Sequence, residues 1–351
     1  MITVAIPCYN LEDRISICIE SVISQDFQDI EILVIDDHSI DNSVAVVKTL
    51  IEKHPERYIR HIVNSDNFGL CQVRNIAIQE ARGEYLFFID GDDTIEPGTL
   101  SLFHRRMGET QVDVVCGSFQ KKDFDGNTYI IKQFVEDTIK GEYAYVKYIE
   151  KYINGYFNLG IWNNLYRLDF LRKNGINCPA QYSIFEDRLF TFMVVLNAQS
   201  VSYLHEITYN YYDVHNSICH QKEGRAIFLV YQAVIESVIE TYNQFNDSHG
   251  FKIVPRGIRF MLNYICLSDG LLMKCMRSEA SVVEKKFLLK WLRHVLRTND
   301  IRWNNIVGAY NKVSYMILNC PFSYPMFRYY FTHLKSVKKV FVLLNLTTKN
   351  I

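Results

Sequence analysis

The chain has 351 residues, 48% hydrophobic and 22% charged, with nine cysteines and a formal net charge of −1. Length and apolar content allow a core in each of two domains and exclude wholesale disorder. An odd, scattered cysteine set with no Cys-x-x-Cys pair supports neither a disulfide framework nor a structural zinc site, and fits a reducing cytoplasm. No uncharged apolar stretch reaches the about 18 residues of a transmembrane helix, and the apolar run at residues 1–7 is too short for a secretory signal.

The near-neutral average hides a split. Residues 1–219 hold 19 Lys and Arg against 31 Asp and Glu, while residues 220–351 hold 19 against 8. Either two domains differ by chance in composition, or a metal-binding acidic domain precedes a basic one that faces something anionic.

Along the first ninety residues, strand-like and helix-like segments alternate. Residues 2–7 form a short apolar run, and residues 11–25 carry Ile15, Ile19, Val22 and Ile23 at helical spacing. A second run, 31–35, ends at Asp36-Asp37, and Asp41 or Asn42 can cap a helix bearing Val44, Val47 and Ile51. Residues 57–63 form a third run, 69–81 a third helix and 84–90 a fourth strand. Such alternation predicts a parallel sheet covered on both faces. In an open parallel sheet, ligands bind at the carboxyl ends of the strands. Residues 7–10, 36–39, 64–67 and 90–93 all fall there.

Beyond this, residues 112–119 read as a strand and 142–152 as a helix, with 162–171 and 187–196 following and strand-like 201–212 near the end. Long amphipathic helices are predicted over 225–242, 256–276, 281–296 and 303–318. The expected domains are 1–218 and 219–351, the second α-helical.

The strongest local signal is Phe88-Ile89-Asp90-Gly91-Asp92-Asp93, where a strand delivers three carboxylates into a turn. Close carboxylates repel unless a cation lies between them, and Mg²⁺ or Mn²⁺ takes oxygen ligands readily shared with a diphosphate. A solvated Asp-Gly turn is the bland alternative.

Residues 1–105 resemble the inverting nucleotide-sugar glycosyltransferases of family 2, which have a GT-A fold. The likeness rests on Val4-Ala5-Ile6-Pro7-Cys8-Tyr9-Asn10, on the run from Glu31 to Asp41 through Asp36-Asp37, on Asn67-Phe68-Gly69-Leu70 with Arg74-Asn75, and on Gly83-Glu84-Tyr85 leading into Asp90-Gly91-Asp92-Asp93. The resemblance continues more weakly to about residue 218. It implies an α/β GT-A domain, Rossmann-like with a mostly parallel central sheet and flanking helices. It implies that Pro7, Tyr9 and Asp37 line a uracil pocket, Asp37 being otherwise a turn or capping acid. Asn67, Gly69 and Arg74 belong to the donor side, with Arg74 either contacting the nucleotide or bracing the acidic turn; Asp90 faces the ribose, and Asp92 binds a divalent cation, Mn²⁺ or Mg²⁺.

Downstream, Phe185-Glu186-Asp187-Arg188 resembles the family's Glu-Asp motif. This implies Asp187 as the base that deprotonates an acceptor hydroxyl, with Glu186 either the second candidate for that role or a residue that orients the loop; an ordinary Asp is ionised at pH 7. The alternative for Asp187 is a carboxylate stabilised by a helix N-terminus. Trp162 is either a sugar-stacking ring or a core tryptophan. Tyr211-Tyr212-Asp213-Val214-His215 resembles the family's closing segment, with Asp213 where an Arg is common and His215 as a possible donor or third metal ligand. His38 stands where the family usually has Gly, which matters if that position needs positive φ.

The partners the resemblance implies are a nucleotide-sugar donor, a UDP-hexose or UDP-N-acetylhexosamine, and a saccharide or polyprenyl-linked saccharide acceptor, as in bacterial surface-polysaccharide synthesis. From Arg297 onward there are eight Lys and Arg and one acid, Asp300, with interleaved aromatics. That pattern suits an anionic membrane surface, hence a cytoplasmic enzyme peripheral on the inner face of the membrane; a merely basic helical bundle is the alternative. No nucleic-acid motif occurs. Pro7-Cys8-Tyr9-Asn10 lacks the Gly-x-Gly-x-x-Gly turn of a dehydrogenase, and no glycine-rich basic loop marks a nucleotidyltransferase. A catalytically inactive, scaffold-like relative is the remaining alternative, opposed by the retention of Asp37, Asp90, Asp92 and Asp187.

Overall fold

The computed structural model describes residues 1–123, 125–142, 160–178 and 186–212, and parts of 144–148, 233–244 and 281–290. By internal contacts the chain falls into two units, Met1–His220 and Gln221–Ile351. In the second, residues 233–241 are helical. Most of the helices expected there, together with the basic run from Arg297, lie outside the described residues.

The first unit begins with β1 (Ile2–Cys8), α1 (Ile15–Ile23), β2 (Ile30–Asp36), α2 (Ser43–Lys53), β3 (Tyr58–Val63), α3 (Leu70–Glu80) and β4 (Tyr85–Phe88). Every residue of β1, β2 and β4 is buried, as continuous apolar strands covered on both faces require. Helix α1 buries Ile15, Cys18, Ile19, Val22 and Ile23, the i, i+3, i+4 stripe legible in the sequence. Strands β3, β2, β1 and β4 lie side by side in that order, all parallel.

Then the pattern changes. The chain continues through β5 (Thr94–Ile95), α4 (Thr99–Thr110), β6 (Val114–Lys122), β7 (Thr128–Lys132), β8 (Asp137–Lys140), β9 (Asn164–Arg167), α5 (Leu168–Lys173), α6 (Glu186–Asn197) and β10 (Ser200–Tyr212). Strand β9 inserts between β4 and β6, antiparallel to both. β10 runs parallel to β6 and antiparallel to β5 and β8, and β7 pairs with β6 antiparallel. The sheet is therefore mixed rather than mostly parallel; only its first four strands keep the expected pattern. Residues 162–171 likewise divide into an irregular stretch, β9 and the short helix α5, because Asn164–Arg167 satisfies its backbone across the sheet. No helix among the described residues is long and apolar enough to cross a membrane.

Candidate active site

The crevice lies at the carboxyl ends of the parallel strands, where two loops are stitched together. The Asn10 N–H donates to Ser39 Oγ (2.9 Å), and the Ile40 N–H donates to Asn10 Oδ1 (2.9 Å). The Asn42 N–H and side-chain amide both reach Glu12 Oε2, at 2.9 and 2.7 Å. Asn10 and His38 hold φ of 53° and 65° at these crossings, so the position flagged as needing positive φ does adopt it.

The paired acids divide their work. Asp36 is fully buried and accepts the Ser39 N–H at 2.8 Å, holding its own loop. Asp37, also buried, accepts the Asn64 side-chain amide (2.8 Å) and the N–H groups of Phe68 (3.0 Å) and Gly69 (2.7 Å). Three donors on one carboxylate fix the loop entering α3. Gly69 turns the chain there with φ 84°, and Asn67 is exposed on the rim. Tyr9 is 46% exposed at the crevice mouth, while Pro7 is buried in β1.

Helix α3 turns two polar side chains inward. Asn75 binds the Cys178 backbone through both ends of its amide, at 2.8 and 2.7 Å. Arg74 is 3% exposed and its Nη2 reaches Asp90 Oδ1 at 2.9 Å. The structure thus has Arg74 bracing the acidic turn.

That turn follows β4. A Cβ on Gly91 would lie 2.6 Å from the Pro7 carbonyl oxygen, so only glycine lets the turn approach β1 this closely. Asp90 is a quarter exposed. Burial, then the neighbouring Asp90 charge, pushes the Asp92 carboxyl up to about 6. Asp93 is buried, and its carboxyl is raised well above the usual range, by burial first and then by Asp92 and Asp90. It accepts the Tyr209 hydroxyl (2.7 Å) and the Tyr212 N–H (2.8 Å). The same Tyr209 oxygen accepts the Asp90 N–H at 3.1 Å. Tyr209 in turn stacks on Trp162, 4.7 Å between centroids and 21° between planes, so Trp162 is part of an aromatic cluster with Phe119 and Tyr211 beside the turn.

Asp187 lies in the first turn of α6. Its side chain is only half-buried by surface, yet desolvation by the surrounding protein is the dominant influence and raises its carboxyl above the usual range. The charges of Arg188 and Arg74 oppose that rise and Asp90 adds to it. Asp187 therefore sits within electrostatic reach of the Arg74–Asp90 pair, with an affinity for protons above the ordinary aspartate value expected from sequence. Asp213 and His215 lie outside the described residues.

Among the described residues, no three His, Cys, Asp or Glu side chains form a ready-made metal site. The donor set still fits a hard divalent cation: Asp90 and Asp92 offer carboxylate oxygens whose mutual repulsion a cation relieves, and a diphosphate can complete the shell. Sequence reasoning gave no role to Tyr209 or Asp93. Asp93 is visible only as one carboxylate of the turn and Tyr209 not at all, because the contacts that give them their roles join residues more than a hundred positions apart.

Parallel strands whose ends converge, an acidic turn after the fourth of them, and a mixed second half together make a GT-A-type fold. Residues 3–175 match the sequence model of glycosyl transferase family 2, and this part of the chain is a glycosyl transferase family 2 domain. The "uncharacterized glycosyltransferase EpsJ" of Bacillus subtilis is 26% identical over 246 residues, 70% of each chain. The poly(ribitol-phosphate) beta-glucosyltransferase of Bacillus spizizenii is 31% identical over 213 residues, 60% of this chain but 32% of that one. The fold is similar to that of S. aureus TarS 1–349, solved in complex with UDP-GlcNAc, with a TM-score of 0.58 and 22% identity over 90% of this chain and 91% of that one.

Proposed function

We propose that the enzyme transfers a sugar from a nucleotide-sugar, a uridine diphosphate sugar in the first instance, to a hydroxyl of a saccharide or lipid-linked saccharide, with inversion at the anomeric carbon. The observation that carries this reading is the acidic turn at the carboxyl end of β4, with Asp90 ion-paired to the buried Arg74 at 2.9 Å. It offers carboxylates suited to a cation, and the Asp187 carboxyl lies within their electrostatic influence.

In this reading Tyr9 and Pro7 border the nucleobase, and Asp37 shapes the pocket through the loop of Asn67 and Gly69. Asp90 is aimed at the ribose. Asp92, with Asp90, holds Mn²⁺ or Mg²⁺, which when bound neutralises charge gathering on the departing diphosphate. Arg74 keeps Asp90 in place. Asp187 accepts the proton of the acceptor hydroxyl, whose oxygen forms the new bond to the anomeric carbon as the bond to the diphosphate breaks. A single displacement inverts the configuration.

Supporting the choice of nucleotide, the TarS fragment of like fold was solved with UDP-GlcNAc. Supporting a role in surface-polymer synthesis, a relative is named for transfer to poly(ribitol-phosphate). Recruitment to an anionic membrane surface rests on the basic run from Arg297, outside the described residues.

The test is calorimetric titration of UDP, with GDP and NAD as controls, in Mn²⁺ and then in EDTA, for the parent and for Asp92→Ala. Metal-dependent UDP binding that Asp92→Ala weakens is expected. Equal UDP affinity with and without Mn²⁺ in the parent removes the cation from the reading. Failure to bind either diphosphate transfers weight to an inactive relative.

A further inference from the structure

We infer that Tyr209 is a positioning residue for the acidic turn, its one hydroxyl setting the two carboxylates that face donor and cation; the inference rests on the donor-site reading above. A phenol has one proton and an acceptor oxygen. Here the proton goes to Asp93 Oδ2 (2.7 Å) and the oxygen takes the Asp90 N–H (3.1 Å), so both ends of the turn are pinned at one atom. That atom belongs to β10, a 13-residue strand in the middle of the mixed half of the sheet.

Asp93 is committed to this strand through both oxygens, since Oδ1 takes the Tyr212 N–H at 2.8 Å. It is therefore an anchor and leaves the cation to Asp90 and Asp92. Asp90 is held from two sides, its N–H by Tyr209 and its carboxylate by Arg74. Such restraint has a purpose. Three carboxylates in four residues repel one another, and an unrestrained turn would splay before any cation arrives. Fixing it beforehand spares the ligand that ordering cost. The face of the Tyr209 ring lies against Trp162, so the aromatic cluster and the acidic turn share a single side chain.

Tyr209→Phe removes the hydroxyl and keeps the ring. Partners in the shell behind metal ligands contribute about 10- to 100-fold to metal affinity. UDP is titrated calorimetrically into parent and variant across a range of Mn²⁺ concentrations and again in EDTA, alongside donor KM and kcat. The expected result is a 10- to 100-fold loss of Mn²⁺-dependent UDP affinity, an equal rise in donor KM, and recovery of kcat to within a few-fold at saturating Mn²⁺ and donor. Residual binding in EDTA should not change. Asp93→Asn is the second variant, should Tyr209→Phe fold poorly. It still accepts the Tyr209 proton but gives up one backbone bond, and the same direction is expected. A parent that binds UDP with Mn²⁺ and a variant that matches it overturn the inference alone. Loss that is equal in Mn²⁺ and EDTA also overturns it, as a general loosening of the fold. A parent whose UDP binding ignores Mn²⁺ brings down the donor-site reading and this inference together.

Discussion

Strands β1 to β4 are parallel and joined by helices packed on their faces, whereas β6 to β10 are mixed in direction and held by side chains from distant parts of the chain. In the first half each strand end is followed at once by its loop, and the loops fasten to one another: Asn10 to Ser39 and Ile40, Asp37 to Asn64, Phe68 and Gly69. In the second half the ties are long. Asn163, at φ 58°, donates to the Gly117 and Ser118 carbonyls and accepts from Thr208, and Tyr209 reaches Asp90 and Asp93. One half gathers the strand-end loops from local segments; the other braces the acidic turn and carries Asp187. Stability and chemistry should accordingly separate between them.

Asp187→Asn attacks the chemistry. Transfer should fall by about 10²- to 10⁴-fold, the usual contribution of a general base, with UDP affinity little changed. Rapid-quench turnover and calorimetry on the same preparation check both; unchanged transfer would refute the base assignment. The pH profile sharpens the point. A base must be ionised, and burial raises the Asp187 carboxyl, so kcat/KM should fall on acidification through a midpoint above the ordinary aspartate value. A midpoint at or below that value would break the link to Asp187.

Glu31→Gln attacks the frame at the opposite end of the parallel strands. The fully buried Glu31 accepts from Thr3 (2.5 Å), the Arg82 N–H (2.8 Å) and Arg60 (2.7 Å). Loss of its charge should cost about 2–3 kcal/mol in urea unfolding, below the figure for a fully buried pair because Arg60 keeps Glu80. Donor KM should hold. A large KM change with intact stability would mean that frame and pocket are not separable.

His38→Gly is the smallest effect. Relief of a left-handed residue should stabilise by about 1 kcal/mol, offset in part by glycine's greater freedom when unfolded. A fall in thermal midpoint would show that the imidazole makes a contact worth more than the strain.

The same contrast explains what could be read in advance. β1, β2, β4 and their helices declare themselves by unbroken apolar runs and a 3.6-residue stripe, and a parallel sheet then gathers residues 7–10, 36–39, 64–67 and 90–93 without further knowledge. β9 and α5 were hidden inside what reads as one segment, since four residues, Asn-Leu-Tyr-Arg, carry too little period to declare a strand. The two-residue β5 and the short β7 and β8 give no signal for the same reason. Tyr209 looked like one aromatic among several. Its meaning depends on a turn 116 residues earlier, which no local pattern can report.

The close approach at Gly91 has a consequence for how this site can diverge. Glycine has no smaller neighbour among the amino acids, so every substitution adds a Cβ toward the Pro7 carbonyl at 2.6 Å and the Leu11 methyl at 2.7 Å. The leucine can swing aside, but the carbonyl belongs to a fully buried strand paired on both edges. In the proposed reading, variation in donor choice falls instead to exposed positions such as Tyr9 and Asn67. A mutant library aimed at new donors or acceptors should randomise those positions and leave residue 91 alone.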